Sequence, residues 1–199
     1  MSIPIFGRTN AEFPSVWFEA ADHPALLDSA SPAIIDVSGN PARWGHVFGP
    51  TPHRLIAFGG RELETARDEQ QAADFITAHL ISTLSCLSGK PLDIFFLRVK
   101  RALEDHQITG ALRALEEAKG EDLVRFLGLS IEGPPLAVTA TWRFHDAFET
   151  VCIAENTSAA DLTMIRGIAA ERRVGVVRRL SARDVPAANE AILIPGGLA

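Results

Sequence analysis

A chain of 199 residues with 47% hydrophobic side chains buries a sizeable core, and its formal charge of −6 suits a soluble protein and argues against nucleic acid as a broad partner. Two cysteines, Cys86 and Cys152, do not make a disulfide framework and read as small core residues of a reducing compartment. The first residues lack the basic, apolar, small-residue order of a signal peptide, and no apolar run reaches membrane-spanning length. A single cytoplasmic domain over residues 1–199 is therefore expected, with no membrane partner.

Residues 3–6, the turn Gly7-Arg8-Thr9-Asn10 and residues 13–18 read as a small hairpin or lid leading into a first strand, with Glu19 at its end. Residues 20–30 form a short helical or loop segment. Ala33-Ile34-Ile35-Asp36-Val37 is a second strand, bounded by Pro32 and Gly39. Residues 39–52 are rich in Gly and Pro, with Trp44, His46, Phe48 and His53 among or beside them, and read as an irregular loop. Residues 55–58 are a third strand, stopped by Gly59-Gly60. Residues 68–87 are a helix with Ala72, Phe75, Ile76, Leu80, Thr83 and Leu84 on one side.

The densest signal spans residues 91–133. Residues 92–99 form an apolar run with adjacent Phe95 and Phe96, as in a strand buried on both faces. A helix follows over residues 109–118, with Thr109 as its cap, Gly120 as its stop, and Leu112 and Leu115 on its apolar side. A second apolar run at 123–129 completes a βαβ unit, which predicts parallel strands and a right-handed crossover. Beyond Pro134-Pro135, residues 136–143 are helical and 150–154 are a sixth strand ending at Glu155-Asn156. Ser158 caps a helix over 159–172, and 174–177 are a seventh strand. Residues 187–190 supply about one helical turn, and 191–194 are an eighth strand. Eight strands with mostly helical connections predict an α/β fold, a (β/α)8 TIM barrel that is small and degenerate because the helices after strands two and seven are clipped. An open parallel sheet is the competing architecture.

In this order and spacing the motifs resemble the aldo/keto reductase family from end to end. Ile5-Phe6-Gly7-Arg8-Thr9-Asn10 is similar to its N-terminal hairpin and Val16-Trp17-Phe18 to its first strand. Ala33-Ile34-Ile35-Asp36-Val37-Ser38 resembles the strand that carries a catalytic aspartate, and Leu92-Asp93-Ile94-Phe95-Phe96-Leu97 the fourth strand. The nearest match runs from Gly110-Ala111-Leu112 to Val124-Arg125-Phe126-Leu127-Gly128-Leu129-Ser130. Glu155-Asn156, Val174-Gly175-Val176-Val177 and Ile194-Pro195-Gly196 echo strands six, seven and eight.

The resemblance implies a barrel, and a family chemistry in which a nicotinamide cofactor reduces carbonyls with an aspartate, a tyrosine acid, a lysine and a histidine. Asp36 matches the aspartate. No tyrosine exists in this chain, and Trp44, the nearest large aromatic, has an indole that cannot serve as that proton donor. Phe58 stands at the lysine's place, Arg98 at the histidine's, Cys152 at a cofactor-contacting glutamine's and Glu155 at a stacking tyrosine's. Ser130 matches, but the asparagine expected after it does not. The family's final cofactor-phosphate segment and C-terminal helices are expected to be missing. A divergent, truncated relative that needs no cofactor is therefore expected.

The active face of such a barrel is the C-terminal end of its strands. Glu19, Asp36, Arg98, Glu132, Glu155, Asn156 and Arg178 fall at or just after predicted strand ends. Asp36 or Glu155 is a candidate base, Arg98 and Arg178 a candidate clamp for an anionic substrate, and His46 or His53 a candidate proton shuttle. Asp36, Arg98, Glu155 and His46 are the candidate catalytic set. Trp17, Glu19, Trp44, His53, Glu132, Asn156 and Arg178 are candidate substrate contacts, although Trp17 also reads as a core residue. A structural ion pair left from a dead site is the competing reading of Asp36 and Arg98. The histidines fit no zinc spacing, and the arginines at 172–173 and 178–179 read as a solvated face.

The favoured function is a cofactor-independent lyase, dehydratase, isomerase or cyclase on a small, anionic metabolite. The alternatives are a non-catalytic pseudoenzyme or subunit that docks on a partner, and a divergent NADPH-dependent carbonyl reductase. A homo-oligomer or a complex with another protein is expected wherever the clipped helices leave strand backs uncovered.

Overall fold

A computed structural model describes residues 6–19, 33–39, 41–44, 53–180 and 190–194, with residues 43 and 44 described by their backbone only. The expected elements at 20–30 and 187–189, the first residues of the hairpin and His46 lie outside the described residues.

Eight strands are present: β1 (Val16–Glu19), β2 (Ile34–Asp36), β3 (Arg54–Gly59), β4 (Leu92–Val99), β5 (Val124–Ile131), β6 (Thr150–Ile153), β7 (Gly175–Arg179) and β8 (Glu190–Ile194). Each pairs in parallel with the next, and β8 closes on β1 through Trp17 opposite Leu193. The sheet is a closed barrel, and the open-sheet alternative falls.

Among the described residues four longer helices cover its outside: α2 (Glu69–Cys86), α3 (Asp105–Gly120), α4 (Pro135–Phe144) and α5 (Ala159–Glu171). Each follows its strand from β3 to β6, as βα crossovers require. Between β2 and β3, where an irregular loop was expected, there is a one-turn helix, α1 (Pro41–Trp44). None of the described helices is long and apolar enough to cross a membrane.

Capping explains where the helices begin. The Asp68 side chain accepts from the Gln71 N–H ahead of α2, and Ser158 accepts from the Asp161 N–H ahead of α5, as the sequence predicts. Helix α3 starts four residues before the expected Thr109. Glu104 and Gln107 form a reciprocal capping box there, with the Glu104 N–H donating to Gln107 Oε1 at 3.1 Å. Two orphan donors are satisfied at Glu104, so the helix nucleates earlier than its apolar stripe indicates.

Successive side chains on a strand face opposite sides. On β4, Phe95, Leu97 and Val99 face outward into the layer shared with α2 and α3, while Ile94 and Phe96 face the barrel axis. The interior is aromatic and tightly fitted. The Phe96 ring lies over Gly128, where a Cβ would come within 2.3 Å of it. The Phe6 ring lies over Gly175 in the same way, with a Cβ contact of 2.4 Å. These two inward positions accept no side chain without moving a ring.

The end of the barrel where the strands start is sealed. The hairpin turn Gly7–Thr9 sits against Gly175, and Phe6, Phe13 and Trp17 pack on one another at centroid distances of 5.7, 5.4 and 5.9 Å. Arg8 ties the hairpin down by donating to Asp146 Oδ1 at 2.8 Å and to the Phe148 carbonyl at 2.9 Å. Arg172, expected on a solvated face, instead donates to the carbonyls of Trp142 and Arg143 and steadies the same loop.

Candidate active site at the barrel mouth

At the opposite end the interior changes from apolar to charged. The inward alternation along each strand ends on Glu19 of β1, Asp36 of β2, Phe58 of β3, Arg98 of β4, Ser130 of β5, Cys152 of β6 and Arg179 of β7, and Glu132 follows β5. Register aligns Glu19 with Asp36, Arg98 with Ser130, and Ser130 with Cys152.

Asp36 is 6% exposed. Its Oδ1 accepts from the Ser38 N–H at 2.9 Å and from the Ser38 hydroxyl at 2.5 Å. The Ser38 oxygen in turn accepts from the Phe58 N–H at 2.6 Å, which fixes the carboxyl to β3. Burial pushes the Asp36 pKa up; the two Ser38 hydrogen bonds pull against it, Glu19 adds to the rise and Arg179 opposes it.

Two guanidiniums share the Phe58 ring, with Arg179 centred 4.6 Å from it and Arg98 5.5 Å. Phe58 is itself stacked on Phe96 at 4.6 Å and 11°. Arg98 is ion-paired with Glu132 at 3.2 Å, although its buried Nε–H is not aligned for a hydrogen bond. Burial lowers the Arg98 pKa and Glu132 works against that.

Arg179 has no such partner, and its Nε is buried without a hydrogen bond among the described residues. Burial disfavours its charge, but the surrounding acidic groups, Asp36, Glu19 and Glu132 among them, outweigh that and hold its pKa above the usual value. Burial pushes the Cys152 thiol up to about 12, so it is a neutral wall rather than a nucleophile.

The expected site residues divide into groups. Asp36, Arg98, Glu132 and Glu19 come together at the mouth. Glu155 and Asn156 lie in the exposed turn after β6, outside the buried cluster. Trp17 is fully buried at the sealed end, its indole N–H donating to the Pro14 carbonyl at 2.7 Å, and it lines no mouth. His53 stands just before β3, at the same sealed end, where its Nδ1 accepts from the Ala33 N–H at 3.2 Å. A residue that ends the β2–β3 connection has already crossed to the far face, which is why a reading by loop membership misplaces it. The side chain of Trp44 lies outside the described residues, as does His46.

Arg178 faces away from the axis; the mouth arginine of β7 is its neighbour Arg179. Val176 belongs to the outer layer and Val177 to the inner one, so period two places residue 179 inside. That alternation was available in the sequence, as was Ser38 two residues after Asp36.

Among the described residues no group of three or more His, Cys, Asp or Glu is placed to hold a metal ion. A cavity of about 400 Å³ opens at the other end of the barrel, lined by Asp93, Lys119 and Arg125 among others, and touches none of the mouth residues.

A closed parallel barrel of eight strands, sealed below by a hairpin and charged above, defines an α/β barrel. Its shape is similar to that of aldo/keto reductases. A candidate aldo-keto reductase from Pseudomonas aeruginosa superposes with a TM-score of 0.69 at 14% identity, covering 96% of this chain and 86% of that one. An aldo-keto reductase from Bacillus halodurans gives 0.63 at 16%, covering 91% and 68%. One from Brucella melitensis gives 0.64 at 12%, covering 89% and 71%. No family model matches the sequence and no curated protein matches it significantly. The fold is aldo/keto reductase-like and divergent; at such identity the likeness describes architecture, and function is argued from the site.

Proposed function

We propose that the protein is an enzyme that uses the mouth of a reductase-like barrel without a cofactor, on a small anionic metabolite, by proton transfer. The reaction class is a lyase, dehydratase, isomerase or cyclase step. Asp36 is the acid or base, and Arg179 with Arg98 supplies positive charge where the substrate's anionic group rests. The observation that carries this reading is the pair of guanidiniums over one Phe58 ring beside a buried carboxyl, one of them with its Nε unbonded and no ion pair among the described residues. The nearby carboxylates keep Arg179 charged despite its burial, and a guanidinium held charged without an ion pair is suited to receive an anion.

The residues present do not fit the hydride chemistry of the fold's reductases. Phe58, at the lysine's place, is covered by Phe96 and the guanidiniums and donates no proton from its ring. Arg98, at the histidine's place, is committed to Glu132. The tyrosine is absent from the chain.

A second reading, a non-catalytic subunit docked on another chain, is favoured by the exposure of Leu136 and Phe144, 71% and 86%, at the two ends of α4. The deciding experiment follows a pool of small carboxylates and phosphate esters by NMR, with no cofactor added. Turnover that falls at least about a hundredfold in D36N, as expected of an acid–base group, and also falls in R98A supports the reading. Full turnover in both variants rejects it, and turnover that appears only with NADPH restores the reductase.

A further inference from the structure

Once Arg98 is paired with Glu132, the mouth holds, among the described residues, one buried cation without an ion pair and one half-committed acid. The cation is Arg179, on β7, with its buried Nε unmatched. The acid is Asp36, on β2, whose Oδ1 is taken by Ser38 while no described residue bonds Oδ2. The groups whose charges act on Asp36 or on its neighbours are Glu19 from β1, Arg61 just after β3, Arg98 from β4, Glu132 after β5 and Arg179 from β7, with the uncharged Cys152 thiol of β6 beside them.

Ionised, these are three carboxylates, Glu19, Asp36 and Glu132, balanced by three guanidiniums, Arg61, Arg98 and Arg179. An anion that docks on Arg179 adds a fourth negative charge in surroundings where charge is weakly screened. Protonating one carboxylate relieves the excess, and Asp36 is the most desolvated of the three, being 6% exposed.

We propose that Arg179 anchors a single carboxylate, and that this carboxylate binds together with one proton taken from solvent, which settles on Asp36. The inference rests on reading the mouth as a reaction site and names its substrate class, monocarboxylates. The substrate thereby loads the acid: Asp36 carboxylate becomes carboxylic acid as the ligand enters, and donates that proton from the Oδ2 side. A dianion is disfavoured because the second guanidinium already faces Glu132 at 3.2 Å.

Acetate is the probe and the arginine Nε–H resonances of 15N-labelled protein are the readout, with Arg179 assigned through R179K. Acetate is expected to shift the Arg179 signal saturably at pH 5.5. Its affinity should fall by about tenfold per pH unit above the Asp36 titration, the slope of a one-proton linkage. The Asp36 titration, followed by its 13C carboxyl signal, should move up in the presence of acetate. In D36N the affinity should lose its pH dependence. In R179Q it should weaken at least tenfold, and in R179K, which keeps the charge but not the fork, by less.

Acetate binding that survives R179Q overturns the proposal, as does affinity independent of pH in the unaltered protein. Sulfate binding tighter than acetate at the same resonance overturns it too, because the site would then take dianions. If acetate fails while D36N and R98A still lose turnover, this inference falls and the reaction reading stands. If acetate binds as described while both variants keep full turnover, the site binds carboxylates and the reaction reading falls.

Discussion

The two ends of this barrel are built from the same eight strands and solve opposite problems. At the sealed end Phe6, Phe13 and Trp17 fill the interior, and Arg54, centred 4.5 Å from the Phe13 ring, spreads its guanidinium over an aromatic floor. At the mouth the same cation-on-ring contact recurs twice over Phe58, but with carboxyls around it. Packing decides the first end, since removing a ring leaves a void. Charge decides the second, where the groups are desolvated and only partly paired. The contrast teaches that an arginine on an aromatic ring is not in itself a site. What separates Arg179 from Arg54 is the number of carboxylates around it: Arg54 has Asp93 in its field, whereas Arg179 has Asp36, Glu19 and Glu132 at the barrel mouth.

The largest expected effect breaks the sealed end. Phe13→Ala or Trp17→Ala should cost about 3–5 kcal/mol, a fall in Tm of roughly 6–20 °C for a chain of this size. Scanning calorimetry measures the loss, and the Asp36 titration should stay where it was. A mouth titration that moves with Phe13 would show that the two ends are one unit.

A smaller effect is expected where the ends meet. Gly128→Ala drives a Cβ into the Phe96 ring, at a cost of about 1–3 kcal/mol by chemical denaturation. Because Phe58 is stacked on Phe96, this variant should also shift the Arg98 and Arg179 Nε resonances, which Phe13→Ala should not.

At the mouth itself the sign reverses. Burial raises the Asp36 pKa, so the folded chain holds that proton more tightly than the unfolded one. The stabilisation is fully present below the unfolded value of about 3.9 and is lost as pH rises to the folded value. D36N should therefore be more stable than the unaltered protein at pH 7, by roughly 1.4 kcal/mol for each unit of the shift. The two should converge below about pH 4. Urea denaturation at both pH values checks this, and a D36N that is less stable at pH 7 would contradict the burial argument.

The smallest effect is chemical. With its pKa near 12, Cys152 should resist a disulfide reagent in the native state, whereas half-buried Cys86 reacts. Counting thiols before and after unfolding should find the second only after the barrel opens.

The strand order, the closure and the buried faces were legible in the sequence because parallel strands covered by helices leave dense apolar runs, as at 92–99. The start of α3 was less legible, since side-chain caps at Glu104 and Gln107 outweigh the apolar stripe. The position of Asp36 and Arg98 at the mouth was legible from their place at strand ends. Arg179 was missed in favour of Arg178 because two adjacent arginines look alike until the strand's alternation is followed from Val177. His53 and Trp17 were misplaced because sequence distance from a strand end does not tell which end of the barrel a connection has reached.

The most direct test of the mouth is the pKa of Asp36, measured by 13C carboxyl NMR in the unaltered protein and in R179Q. A value above the ordinary carboxylate range, rising further when the guanidinium is removed, is predicted by a buried acid that Arg179 partly holds ionised. A titration at the ordinary value that does not move in R179Q would mean that the carboxyl is solvated and the two groups do not share a site.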